Sequence, residues 1–112
     1  MKKIYLFLTG CIFVSSNVIA GSALGTIAKI ELGPTYGQKV FIQVIGEVTG
    51  QPACQTNANY NFAFDVSEPG GDAVLSAVLS AKAGKQKIRI SGYSQCTRIS
   101  GVEDLRWFRF EE

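Results

Sequence analysis

Apolar residues recur along this chain at two different spacings. Between Thr26 and Leu32 they alternate, with Ala28, Ile30 and Leu32 on one face and Lys29 and Glu31 on the other. That period predicts a half-buried strand. Gly33-Pro34-Thr35-Tyr36-Gly37 reads as a turn. Lys39 to Ile45 alternates again and turns Val40, Ile42 and Val44 to one side. Two strands joined by so short a turn pair most simply as an antiparallel hairpin. Glu47 to Asn59 is polar and irregular. Tyr60 to Val66 then places Tyr60, Phe62, Phe64 and Val66 on one face, a third strand.

After that the period changes. In Asp72 to Ala83, the residues Val74, Leu75, Val78 and Leu79 form one stripe of an amphipathic helix, and Ala73, Ala77, Ala81 and Ala83 add helix propensity. Its start is either Ser67, with Pro69 in the first turn, or Asp72 after Gly70-Gly71. Gly84 is expected just beyond its end, with Lys82 and Lys85 at the negative pole of the helix dipole. Lys87 to Ser91 is a fourth strand with Ile88 and Ile90 inward. A polar loop runs from Gly92 to Gly101. Leu105 to Phe110 is the last strand. It carries aromatics on both faces, so both faces are expected to be covered, with Trp107 beside Leu105 in the core. The order β-β-β-α-β-β predicts an α+β fold with one helix on a small antiparallel sheet, or an OB-like five-stranded barrel, which has the same order.

The first twenty residues do not belong to that pattern. Lys2 and Lys3 precede an apolar run from Ile4 to Val14, and Val18-Ile19-Ala20 places a small residue before the expected cut with a tolerated Val two positions earlier. This is the layout of a secretory signal peptide spanning 1–20, with cleavage after Ala20. The run is shorter than the roughly 20 apolar residues that span a bilayer, so no membrane insertion is expected after cleavage. Leu8-Thr9-Gly10-Cys11 offers a competing lipobox that would lipidate Cys11, but it leaves too short an apolar stretch ahead of it. A single domain over 21–112 is therefore expected in the periplasm or outside the cell. The full chain of 112 residues holds 11 basic and 9 acidic side chains, and losing Lys2 and Lys3 leaves nine of each. No basic surface then argues for nucleic acid.

Composition narrows the chemistry. There is no His, which removes imidazole-based triads and metal sites. After cleavage Cys54 and Cys96 remain, an even pair in an exported chain, and are expected to form a disulfide. They carry no C-x-x-C redox spacing and no zinc-ligand pattern. Glu103 and Asp104 are neighbours, so on a strand they point to opposite faces and read as a solvated strand start and not as an acid–base pair. Asp65, opposite the Phe62/Phe64 face, is expected at the surface. No G-x-S-x-G accompanies Ser76 or Ser80, and Gly70-Gly71 lacks the rest of a phosphate loop. No catalytic residue, cofactor or metal is expected, and the chain reads as a non-enzyme.

Binding is the class left. Tyr60 and Trp107 fit core positions, while Tyr36 in a turn and Tyr93 in the Cys96 loop are better placed to meet a ligand. Ser94, Gln95 and Arg98 add hydrogen-bonding groups beside Tyr93. The candidate ligand-binding set is thus Tyr36, Tyr93, Ser94, Gln95 and Arg98. The segments Phe62-Ala63-Phe64-Asp65, Ser67-Glu68-Pro69-Gly70-Gly71, Leu75 to Ala83, Gly84-Lys85, Ile88 to Ser91, Cys96 and Asp104-Leu105-Arg106 follow in a distinctive order. That order resembles small exported bacterial disulfide-containing proteins. It is also similar to the OB-fold B subunits of AB5 toxins, the pertussis-like and subtilase-cytotoxin-like groups. The resemblance implies a homo-oligomeric ring that binds a host glycan, and it transfers no binding residue. The alternative is a periplasmic module or inhibitor whose partner is a protein of the cell envelope.

Overall fold

A computed structural model describes residues 20–112. The predicted signal peptide up to Ile19, with the lipobox at Cys11, lies outside the described residues. Five strands and one helix follow in chain order: β1 (Ser22–Glu31), β2 (Lys39–Thr49), β3 (Phe62–Asp65), α1 (Gly71–Gly84), β4 (Ile88–Gly92) and β5 (Glu103–Phe110). A short 3-10 turn, Pro34–Tyr36, joins β1 to β2. The Cys54–Cys96 disulfide is formed across a Cα–Cα distance of 5.9 Å.

The strands hydrogen-bond in the cyclic order β1-β2-β3-β5-β4, with β4 returning to β1. An antiparallel sheet was one of the two expectations, an OB-like five-stranded barrel the other. The sheet is mixed, because β3 and β5 run parallel through Phe62–Glu103 and Ala63–Asp104. The reason is parity: five strands in a ring cannot alternate direction all the way round, so at least one neighbouring pair must be parallel. That pair falls where the excursion through α1 and β4 brings the chain back beside β3.

Inside the ring lies the main core. Ala23 and Ile27 of β1, Val40, Ile42 and Val44 of β2, Phe62 and Phe64 of β3, Ile88 and Ile90 of β4 and Leu105 of β5 converge there. Val78 and Ala81 cover one end from α1. Each large apolar side chain buried this way contributes about 1.5–3 kcal/mol relative to exposure. A smaller cluster of Phe41, Ala63 and Val102 forms on the opposite side of the sheet, with Tyr36, Tyr60 and Ile99 against it.

Several expectations change. In β1 the register slips between Ile27 and Lys29, so Ala28 is an extra, bulged residue and Ile27 takes the inward place. Leu32 falls past the strand end and is exposed. Tyr60 precedes β3 and joins the outer cluster, not the Phe62 face. On α1 Val74, Leu75 and Val78 face the core as expected and Ala81 joins them, whereas Leu79 is exposed. Neither Ser67 nor Asp72 is the N-cap: Gly70 fills that position in a left-handed conformation (φ 81°), which a glycine adopts without steric cost. At the other end Gly84 is the last helical residue, and Lys85 takes the left-handed place at φ 50°. In β5 the pairing with β4 slips between Leu105 and Trp107, so Arg106 is an extra residue: Phe108, opposite Ile90, packs on the core, Trp107 turns outward beside Ser91 and is exposed, and Phe110 is exposed at the strand's end. Glu103 and Asp104 are fully buried, not solvated, since β3 and the following loops close over them. Asp65 is half-buried.

Candidate functional site

The loop between β4 and β5 holds four of the five candidate residues, and two buried carboxylates shape it. Asp104 Oδ1 accepts the backbone N–H groups of Thr97 (3.0 Å) and Arg98 (3.1 Å), and Oδ2 accepts the Thr97 hydroxyl (2.5 Å). The Asp104 backbone completes the loop: its N–H donates to Gln95 O (2.7 Å) and its C=O accepts from Tyr93 N (2.9 Å). Glu103 points the other way. Its Oε2 accepts from Ser94 N and Gly21 N, both at 2.9 Å. Burial pushes the Glu103 carboxyl above its ordinary pKa, the two backbone donors pull it back, and neighbouring Asp104 raises it again. Glu103 N–H donates to Gln55 Oε1 at 2.6 Å, which ties the loop after β2 to β5.

Arg98 stands where these loops meet. Its guanidinium donates to Glu68 from both Nε (3.0 Å) and Nη2, a bidentate pair. Its Nη1 lies 3.6 Å from Asp104 Oδ2, too far for a hydrogen bond, and is buried without another partner. The Glu68 pairing, foremost, raises the Arg98 pKa. The guanidinium carbon sits 6.0 Å from the centre of the Tyr93 ring, within range of a cation–π attraction. One small cleft, ≈ 180 Å³, opens between Tyr93, Arg98, Glu68, Pro69 and Arg106. On the other side of Arg98 a larger cleft, ≈ 500 Å³, is lined by Tyr36, Lys39, Asp65 and Ser67.

The walls of the larger cleft are fixed locally. Asp65 Oδ1 accepts both the N–H (2.8 Å) and the hydroxyl (2.5 Å) of Ser67, an Asx-type turn that leads the chain from β3 towards α1. Those bonds hold the Asp65 carboxyl below its ordinary pKa. Tyr36 OH donates to Glu31 Oε2 (2.7 Å) and Tyr60 OH to Glu31 Oε1 (3.1 Å). Phe41 lies between the two tyrosines in edge-on contacts, 4.8 and 4.6 Å between ring centroids. Accepting Tyr36 as a donor, Glu31 raises the Tyr36 pKa.

The structure thus brings Tyr36 and Arg98 to one cleft and Tyr93 and Arg98 to the other. Ser94 shapes the loop with a left-handed backbone (φ 63°) and lines neither cleft. Gln95 is exposed and takes part through its backbone carbonyl. Tyr36 is half-buried and held by Glu31, not projecting free. Sequence reasoning missed Lys39, Asp65, Ser67 and Glu68 as cleft residues. The Asp65-Val66-Ser67 spacing is an Asx-turn signal that could have placed two of them. Chemically the clefts offer a guanidinium, an ammonium, hydroxyls and carboxylates around aromatic rings, a set suited to hydrogen-bonding a polar ligand. Among the described residues, no group of three or more Cys, Asp or Glu is placed to hold a metal ion, and no helix is long and apolar enough to cross a membrane. Compared with known proteins, the chain matches no family model, no curated protein and no solved structure.

Proposed function

We propose that this chain is an exported, non-catalytic binding module that recognises a glycan in the cleft beside Arg98. One observation carries the reading: Tyr36 from the β1–β2 loop and Arg98 from the β4–β5 loop line the same cavity. The five-strand cyclic order, with the helix between β3 and β4, supports reading the ring as an OB-type barrel. In that fold these two loops and the adjoining β2–β3 face take oligosaccharides or oligonucleotides. The balanced charge of residues 21–112 favours the sugar over the polyanion. The disulfide supports an oxidising compartment, periplasmic or extracellular.

A second reading, a protein partner in the envelope, is favoured by a different surface. Trp107 is exposed on the half of β5 that lacks a second neighbour, and the Arg109 guanidinium lies 5.2 Å from its ring centre. Trp and Arg are enriched at protein interfaces. Native mass spectrometry and a glycan array on the exported protein separate the readings. A pentamer that binds a defined sugar, with Tyr36→Ala weakening binding roughly tenfold, supports the first. A monomer silent on the array, cross-linking to an envelope protein through the Trp107 face, overturns it in favour of the second.

A further inference from the structure

Glu103 is completely buried, yet only one of its oxygens is satisfied. Oε2 accepts from Gly21 N and Ser94 N, whereas Oε1 is buried without any hydrogen-bond partner. The carboxylate is wedged between two glycines. A Cβ added at Gly21 would stand 2.0 Å from Oε1, and one added at Gly92 would stand 2.0 Å from Oε2. The two glycines are themselves joined, Gly92 N–H donating to Gly21 O at 2.8 Å. Gly21 is therefore locked one residue ahead of β1, buried, with its nitrogen against an acid. A buried carboxylate with an empty oxygen is expensive, and a single amide N–H cannot fill both oxygens or supply charge.

We propose that Gly21 is the mature N-terminus and that its α-ammonium forms a buried ion pair with Glu103, so that removal of the leader completes the fold. Hydrolysis of the Ala20–Gly21 amide by one water leaves a carboxylate on Ala20 and an amine on Gly21, which takes up a proton. The nitrogen that donated one hydrogen to Oε2 then carries three and a positive charge. Oε1, beside Gly21, gains the donor it lacks. The neutral amide gives way to a charge-assisted pair, the arrangement that makes a buried carboxylate tolerable. Glycine is the residue this requires at the new terminus, because any side chain there meets the carboxylate. Since Gly21 is buried, the cut must precede closure of the ring. The sugar-binding reading is not needed for this inference. It rests on cleavage after Ala20.

The test begins with the full-length chain exported into a bacterial periplasm. Its intact mass must correspond to a chain beginning at Gly21, and any other terminus overturns the proposal. The folded protein is then treated with an amine-acylating ester and mapped by peptide mass. The Gly21 amine is expected to resist acylation while the exposed lysines Lys82, Lys85 and Lys87 react. Glu103→Gln should open it to the reagent. Should that variant fail to fold, a chain that retains Ala20 ahead of Gly21 takes its place. Retaining Ala20 moves the charge off the Gly21 nitrogen, and Tm should fall by roughly 5 °C or more for a domain of this size. Acylation of Gly21 as fast as the lysines, or equal Tm with and without Ala20, overturns the pairing.

Discussion

Adjacent side chains on a strand point to opposite sides, and at Glu103 and Asp104 both sides are buried. The sequence spacing showed the divergence correctly. It did not show the burial, because a carboxylate's solvation is decided by loops that cross it from distant parts of the chain, here Gly21, Gln55 and residues 94–98. The divided roles have a pH signature. Where the Gly21 nitrogen is still an amide, burial raises the Glu103 pKa above the unfolded value of about 4.3. Between those two values the folded chain holds a proton that the unfolded chain has released, so stability falls as pH rises through that window. Urea midpoints followed across the acidic range, on a chain still carrying residues ahead of Gly21, should show this fall, and Glu103→Gln should remove it. Glu111 acts in the opposite sense. Hydrogen bonds from Arg109 and Arg89 lower its pKa, so its contribution is present at neutral pH and lost on acidification. An unchanged slope in Glu103→Gln would mean that the buried acid does not take up that proton.

At the scale of elements, legibility depended on unbroken alternation along the strand. β2 pairs along its length with β1 and with β3 at its start, and the expected inward set of Val40, Ile42 and Val44 is the observed one. Phe62, central to the same core, should cost about 3–5 kcal/mol when changed to Ala, read as a drop in chemical-denaturation midpoint at constant slope. In β5 the extra residue Arg106 reverses the alternation, so Phe108 and not Trp107 follows Leu105 inward, a slip that the period of the sequence does not reveal. Helix α1 was found, but its ends were displaced by one or two residues. Gly84 stays helical and Lys85 adopts the left-handed turn that satisfies the Ala81 and Lys82 carbonyls. A side chain at that backbone angle costs about 1–2 kcal/mol, part of which glycine returns through its freer unfolded state. Lys85→Gly is therefore expected to stabilise the fold by about 0.5–1 kcal/mol, and thermal melts of the two proteins would check it. A loss of stability would show that the Lys85 side chain makes up for its backbone angle.

For the whole molecule, the ring confers a closed set of strand pairings but leaves two long loops to be held by other means. The disulfide joins the stretch after β2 to the loop after β4 over a sequence separation of 42 residues. Closing a loop of that length restricts the unfolded chain by about 4 kcal/mol on the chain-entropy account. In the folded state the same two segments are also tied by hydrogen bonds. Gly101 O accepts from Thr56 N and Asn57 N, each at 3.0 Å, and Gln55 Oε1 accepts from Glu103 N. The disulfide thus acts on the unfolded ensemble, while those bonds and Asp104 keep the folded loop in place. Replacing Cys54 and Cys96 together by Ser should lower unfolding free energy by about 2–5 kcal/mol. The folded fraction of that variant should still protect the Thr97 and Arg98 amides from hydrogen exchange, because their acceptor is Asp104. Asp104→Ala with the disulfide intact should do the reverse, keeping the covalent loop but removing the acceptor and exposing those amides. If the double serine variant instead lost amide protection at Thr97 and Arg98 while still folded, the disulfide would be shaping the clefts directly. The positioning of Arg98 would then depend on the redox state of the compartment.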